Sequence, residues 1–202
     1  SEQKAPGSVW GPEGSGATNQ VRNLTQEQVN QIISIANGYG IDAGGLSASN
    51  VNLESKRGLA KIDWNINDMH RLSFSARRTE ETEPRITASS SSRLNLSSNW
   101  YVIDKKNTSY SLSLYDDWTD VFSTEASIGY NDFFQLRGPI NGQYAPEITV
   151  RTTGEDSGTS VVLGTEYSSH ANELGVKTWN GYFAGNWFLG EHTVKAGLDY
   201  QK

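Results

Sequence analysis

Apolar and polar residues alternate along residues 59–76, LAKIDWNINDMHRLSFSA, in two successive arms. Ile62 belongs to the apolar series of the first arm and Phe74 to that of the second. A period of two is typical of a β-strand with two different faces. Between the arms lie Asn67 and Asp68, turn residues whose short side chains hydrogen-bond their own backbone. The stretch therefore predicts a β-hairpin with one apolar and one polar face.

The same alternation returns twice further along the chain. We place the three hairpins at about 58–80, 97–133 and 174–202, each closed by a short turn. Six main strands joined in this order predict an all-β fold, an antiparallel up-and-down meander. The segments at about 81–96 and 134–173 are polar and interrupted by proline and glycine, so we interpret them as long exposed loops.

The first 57 residues differ from the rest and are interpreted as a loop segment, because residues 1–24 are rich in Gly, Ser, Pro and Asn. One short helix is predicted at about 25–37. Thr25 and Gln28 have the spacing of a capping box, and apolar residues follow at helical spacing from Val29 to Ala36.

Composition excludes several classes of protein. Asp and Glu outnumber Lys and Arg by 23 to 17, and the basic residues are scattered, so we expect no nucleic-acid partner. The chain has no cysteine, which excludes disulfides and thiolate chemistry. No apolar run approaches the length of a membrane-spanning helix. A mean hydropathy of -0.58 fits a soluble β-protein and a membrane barrel equally.

Short turns recur at one end of the predicted hairpins and long polar loops at the other. Transmembrane β-barrels have this arrangement, with short periplasmic turns and long extracellular loops. A soluble β-sandwich also alternates apolar and polar positions. The pattern leaves both architectures open.

Four phrases, in order, resemble one family. They are GSGATNQVRNLTQEQVNQIISIANGYGIDAG, KIDWNINDMHRLSFSARRTE, YSLSLYDDWTDVFSTEASIGYNDF, and GTEYSSHANEL followed by NWFLGEHTVKAGLDYQK. Together they resemble the barrel domain of TonB-dependent outer-membrane receptors, in particular the Oar-like (OmpA-related) subgroup. In that subgroup the KIDWNINDMHRL phrase marks a periplasmic hairpin, and the first phrase resembles an early extracellular loop.

The resemblance implies a 22-stranded barrel in the bacterial outer membrane that encloses a plug domain and is powered through TonB. Six strands cannot close such a barrel, because eight is the practical minimum. We therefore expect this chain to be an internal piece of the barrel, with the plug and the TonB contact in parts of the protein absent here. Its expected partners are outer-membrane lipid, the plug and TonB.

On this interpretation the apolar strand positions face lipid and the alternate positions face the lumen. The predicted lipid-facing residues are Ile62, Trp64, Leu72, Phe74, Leu112, Leu114, Ile128, Trp179, Phe183, Trp187, Val194 and Leu198. The predicted lumen-facing residues are Lys61, Asp63, Arg71, Arg77, Glu125, Lys195 and Asp199.

Little in the sequence indicates catalysis or metal binding. His70, His170 and His192 have no ligand spacing and are interpreted as solvated, and no G-x-S-x-G motif occurs. The weak metal candidates are Asp116, Asp117 and Asp120, since Ca²⁺ needs six to eight oxygens, although a solvated turn explains them as well. GEDSG at 154–158 has the same two interpretations. We expect no enzyme and no cofactor.

The leading functional hypothesis is energy-coupled uptake or binding of a bulky substrate that the sequence does not identify. A soluble β-sandwich that binds carbohydrate through tryptophan surfaces is the alternative from another class, and a surface adhesin is a third.

Overall fold

The structure is a computed structural model that describes residues 2–4, 8–47, 52–153 and 158–202. It is mostly β, with one α-helix among the described residues. The strands are β1 Glu2–Lys4, β2 Trp10–Glu13, β3 Asn19–Thr25, β4 Asn52–Asn65, β5 His70–Arg85, β6 Arg93–Asn95, β7 Tyr101–Thr119, β8 Phe122–Pro139, β9 Ile148–Arg151, β10 Ser160–Leu163, β11 Glu173–Leu189 and β12 His192–Gln201. The helix α1 is Gln26–Gly38, and short 3-10 helices lie at Ser97–Asn99 and Ser169–Ala171.

The six long strands form one antiparallel sheet in the order β4-β5-β7-β8-β11-β12, to which the short β1 adds beside β4. Among these six, each strand pairs with the next long strand along the chain. The predicted mostly-β antiparallel meander is thereby confirmed. β12 is an edge strand, since its neighbour in the described sheet lies on one side only.

Three tight turns close the hairpins, at residues 66–69, 120–121 and 190–191. In the first, the Asn67 side-chain oxygen accepts hydrogen bonds from the backbone N–H groups of Met69 and His70, at 2.8 and 2.9 Å. This is the local bonding that favours asparagine in turns. In the third, Gly190 adopts a φ of 65°, which a residue with a Cβ rarely does.

The strands extend further into the loops than the alternation predicts. β5 continues through Arg85 and β8 through Pro139. The extension of β5 is polar, and the Thr82 hydroxyl in it donates a hydrogen bond to the Asp104 carboxylate of β7 at 2.6 Å. Apolar alternation detects strands that bury one face, so it does not detect this polar extension.

The chain divides into two compact units. The hairpin unit comprises Lys56–Glu80, Lys105–Phe134 and Leu174–Lys202 and contains all three tight turns. The loop unit comprises the described residues of Ser1–Ser55, Glu81–Asp104 and Gln135–Glu173.

The loop unit contains α1 and two small sheets. Thr25 caps α1, and its capping box with Gln28 is present, so the predicted helix is confirmed. β2 and β3 pair in parallel, and β10 lies between β6 and β9. Val29 and Ala36 of the helix stripe are buried in a shared apolar core. The buried residues of this core are Val21, Leu24, Val29, Ala36, Ala43, Leu94, Leu96, Val161 and Leu163.

Segments interpreted as loops contribute to this core instead. Residues 1–24 contain β2 and most of β3, and residues 81–96 contain β6 with Leu94 and Leu96 fully buried. Residues 148–151 and 160–163, within the 134–173 segment interpreted as an exposed loop, form a separate sheet with β6. The polar residues Ser97, Ser98 and Asn99, which come shortly after β6, are buried. Their side chains hydrogen-bond the backbone, as when the Gly164 N–H donates to Ser98 Oγ at 3.0 Å.

No helix among the described residues is long and apolar enough to cross a membrane.

The fully buried Leu94 provides a test of the loop-unit core. We expect Leu94→Ala to destabilise the loop unit by about 2–5 kcal/mol, because a buried leucine loses its contacts and leaves a cavity. Urea unfolding of the complete protein measures the loss of stability, and hydrogen exchange of the α1 amides shows that the loop unit is affected. The control is Ile35→Ala, since Ile35 lies on α1 and is 54% exposed. An equal loss of stability in both variants would contradict the described core.

Candidate functional site

The register of β11 with β12 separates the two predicted sets of residues in the hairpin unit. Phe183 lies opposite Leu198, and Trp187 lies opposite Val194. The alternate pairs are Tyr182 with Asp199 and Asn186 with Lys195. Since side chains directly opposite each other share a face, the apolar pairs lie on one face and the polar pairs on the other.

The apolar face extends across four strands. Phe74, Leu112, Ile128 and Trp179, from β5, β7, β8 and β11, line one apolar groove of about 320 Å³. Aromatic rings add to this face: the Tyr130 and Trp179 ring centroids are 4.7 Å apart, and those of Phe122 and Trp187 are 5.2 Å apart. Four of the predicted lipid-facing residues are thus neighbours.

Most of the predicted lipid-facing side chains are exposed. Ile62 is 64% exposed, Trp64 58% and Leu198 79%, whereas Leu72 and Leu114 are half-buried. A soluble monomer rarely exposes contiguous apolar patches of more than a few hundred Å². Larger exposed apolar patches usually mark a surface that contacts another molecule or a membrane.

The opposite face carries ion pairs and hydrogen bonds. Glu125 of β8 pairs with Lys195 of β12, whose ammonium group also lies 5.7 Å from the centre of the Tyr182 ring. Lys61 pairs with Asp63 at 2.8 Å on β4. Such half-exposed pairs are worth little in stability, about 0–1 kcal/mol, so their main effect is to make the face polar.

The remaining predicted lumen-facing residues lie at other positions in the hairpin unit. The Arg71 guanidinium lies 4.7 Å from the centre of the Tyr115 ring. Arg77 lines a groove of about 310 Å³ with Arg57 and Thr79. Asp199 lies opposite Tyr182 and is exposed.

The aspartates at 116, 117 and 120 do not form a metal site. No group of three or more carboxylate or imidazole side chains suited to a metal occurs among the described residues. Asp116 and Asp117 are adjacent in a strand and point to opposite faces. The Asp116 carboxylate is also occupied, because it accepts hydrogen bonds from His70 and Thr124. Of the GEDSG motif, residues 154–157 lie outside the described residues.

The interpretation of the three histidines as solvated holds for His192, which is exposed, but not for the other two. His70 Nδ1 lies 2.6 Å from Asp116 Oδ1, and the Asp116 side chain is only 8% exposed. Both ring nitrogens of His170 are buried without a hydrogen-bond partner. The sequence offers no signal for the first contact, because its partners are 46 positions apart.

A polar cluster surrounds Asp116 on the apolar face. Thr124 donates to Asp116 and accepts a hydrogen bond of 2.9 Å from the Trp118 indole N–H. The His70 ring meets the Trp118 ring edge to face, with centroids 5.2 Å apart. His70 and Asp116 continue the series of Leu72 and Leu114 by strand alternation, so a hydrogen-bonded carboxylate is buried among apolar side chains.

The loop unit also has an exposed apolar groove, of about 440 Å³. It is formed by α1, β9 and β10 and is lined by Ile32, Ile35, Ala36, Tyr39, Ile41, Ile148, Val150 and Leu163. Tyr39 is 83% exposed at this groove. Its described lining includes no charged side chain, so these residues offer apolar contact without ionic specificity.

Comparison with known proteins gave no match to the chain, whether to a family model, a curated protein or a solved structure.

Asp116 provides a test of the polar cluster. We expect Asp116→Ala to lower the free energy of unfolding by about 1–3 kcal/mol, because His70 and Thr124 lose their acceptor in a partly buried site. Denaturant titration of the complete protein measures the change. The control is Asp117→Ala, which removes an exposed carboxylate from the next position. Equal stability of the two variants would contradict the cluster's role.

Proposed function

We propose that this chain forms part of the transmembrane wall of a TonB-dependent outer-membrane receptor, which takes up or binds a bulky substrate. The observation that carries this proposal is the exposed apolar face of the hairpin unit. Its opposite face carries Lys61, Asp63, Glu125 and Lys195. In a receptor wall the first face contacts outer-membrane lipid, and the second faces the lumen and the plug domain.

The open edge of the sheet supports the same proposal. An edge strand has backbone N–H and C=O groups without a neighbouring strand, and in a bilayer these groups must be paired within the protein. Further barrel strands beside β12 would pair them. Coupling to TonB is then made elsewhere in the receptor.

The tight turns and the long connections belong to different units, and this separation supports a ligand-binding role for the loop unit. The tight turns belong to the hairpin unit, as short periplasmic turns would, and the long connections carry a folded core of their own. Binding residues are often found on loops that a rigid scaffold positions. A soluble carbohydrate-binding sandwich needs a second sheet packed over the apolar face, and no described part of the hairpin unit supplies one.

Labels at adjacent positions test the membrane orientation. Because the chain has no cysteine, Ile62→Cys and Asp63→Cys each introduce a single site for a nitroxide. In the complete protein reconstituted into phospholipid vesicles, we expect the label at 62 to collide with oxygen, which concentrates in lipid. The label at 63 should collide with a water-soluble nickel chelate.

Leu198→Cys and Asp199→Cys form a matched pair on the edge strand and should repeat the alternation. Water exposure at both 62 and 198 in the vesicles would exclude a lipid-facing surface. A chain that is monomeric in buffer without detergent, and that unfolds cooperatively there, would favour the soluble sandwich instead.

A further inference from the structure

Residues 164–172, named here the His170 segment, connect β10 to β11 and belong to the loop unit. Glu166 organises the segment, because its two carboxylate oxygens accept hydrogen bonds from the backbone N–H groups of Ser168 and Ser169. Burial favours a raised pKa for Glu166, but hydrogen bonds from the Ser169 N–H, the Ser169 hydroxyl and the Ser168 N–H, with His170 nearby, together hold the pKa below its ordinary value. Both oxygens of the Glu166 carboxylate are therefore already hydrogen-bonded within the segment.

His170 connects this segment to the rest of the loop unit. Its ring meets Tyr101 at 5.8 Å and 71° and Tyr144 at 6.2 Å and 87°, both edge to face. The Arg137 guanidinium lies 5.6 Å from the centre of the same Tyr101 ring. The segment is thus held by contacts between rings, with a cation close to them.

The polar atoms of this cluster lack partners. Five buried side-chain nitrogen or oxygen atoms have no hydrogen-bond partner among the described residues, and three of them are His170 Nδ1, His170 Nε2 and Arg137 Nε. Native structures have few such atoms, and each calls for a specific explanation. Three such atoms in one cluster of contacting residues indicate that the packing of the His170 segment against Tyr101 and Tyr144 is only weakly favoured.

Burial of the His170 ring disfavours an imidazolium there. Burial lowers the pKa of His170 from its ordinary 6.5; Glu166 opposes this effect, and Arg137 adds to it. An imidazolium has two N–H donors, and neither ring nitrogen has an acceptor here. Glu166 is the carboxylate that faces the ring, and its oxygens are already bonded to Ser168 and Ser169.

We propose that His170 is an acid-sensitive latch: the neutral ring holds the His170 segment against Tyr101 and Tyr144, and protonation releases the segment from them. Release transfers the imidazolium to water and exposes the Arg137 guanidinium and the Tyr101 ring. The loop unit then presents a cationic and aromatic surface at acidic pH that is covered at neutral pH. This proposal does not depend on the membrane assignment, since every group in it belongs to the loop unit.

The direction of the pH dependence follows from proton linkage. The open form binds a proton with the ordinary pKa of 6.5, and the closed form binds it only at lower pH. The fraction of open segment therefore rises as pH falls below 6.5, by up to about tenfold per pH unit, until the closed form also becomes protonated. Above that pH the segment stays closed.

Hydrogen exchange of residues 164–172 in the complete protein measures this opening between pH 8 and pH 5, with rates divided by the intrinsic rate at each pH. Peptides from α1 serve as an internal reference. We expect protection of the segment to fall as the solution becomes acidic, while α1 stays protected. Protection that does not change with pH would refute the latch.

Three variants separate titration from packing. His170→Phe keeps a ring between the two tyrosines and removes the proton site, so the acid-dependent loss of protection should disappear. His192→Phe changes an exposed histidine and should leave the profile unchanged. Arg137→Met removes the neighbouring cation, which raises the pKa of His170 in the closed form, so the acid-dependent loss of protection should become smaller. An unchanged profile in His170→Phe, or a larger acid-dependent loss of protection in Arg137→Met than in the unsubstituted protein, would overturn the proposal.

Discussion

Backbone pairing between successive antiparallel strands is the constraint on which both faces of the hairpin unit depend. Side chains alternate with a period of two, so a shift of one residue in the register of β12 would move Leu198 to the polar face and Asp199 to the apolar face. The observed register places Val194 beside Trp187 and Lys195 within reach of Glu125. Backbone hydrogen bonds and side-chain chemistry thus favour one alignment, and the two-faced surface is its direct consequence.

The Asp116 cluster shows how this sheet accommodates a buried polar group. A carboxylate among apolar side chains is costly unless it is hydrogen-bonded. Here three neighbouring strands supply the bonds: β5 provides His70, β7 provides Asp116 and Trp118, and β8 provides Thr124. The cluster therefore links the first hairpin to the second with directional bonds, which apolar contacts do not supply.

Features that depend on residues a few positions apart could be predicted from the sequence. The Asn67 turn, the Thr25 cap and the alternation around Ile62 and Phe74 are of this kind. The parallel pairing of Leu94 with Val161 has no local signal, because the two residues are far apart along the chain. The His70 contact with Asp116 and the burial of His170 depend in the same way on distant partners. The chemistry of the candidate sites was thus less predictable than the strands that carry it.

The sequence discontinuity of the loop-unit core sets an order on folding. Val21, Leu94 and Val161 come from three distant stretches of the chain and meet in one core. Bringing distant segments together costs chain entropy that short hairpins avoid, because their partners are nearly adjacent. Once the hairpins have formed, the open chain between those stretches is much shorter. We therefore expect the core, and any ligand surface built on it, to form late in folding, after all three stretches have been synthesised.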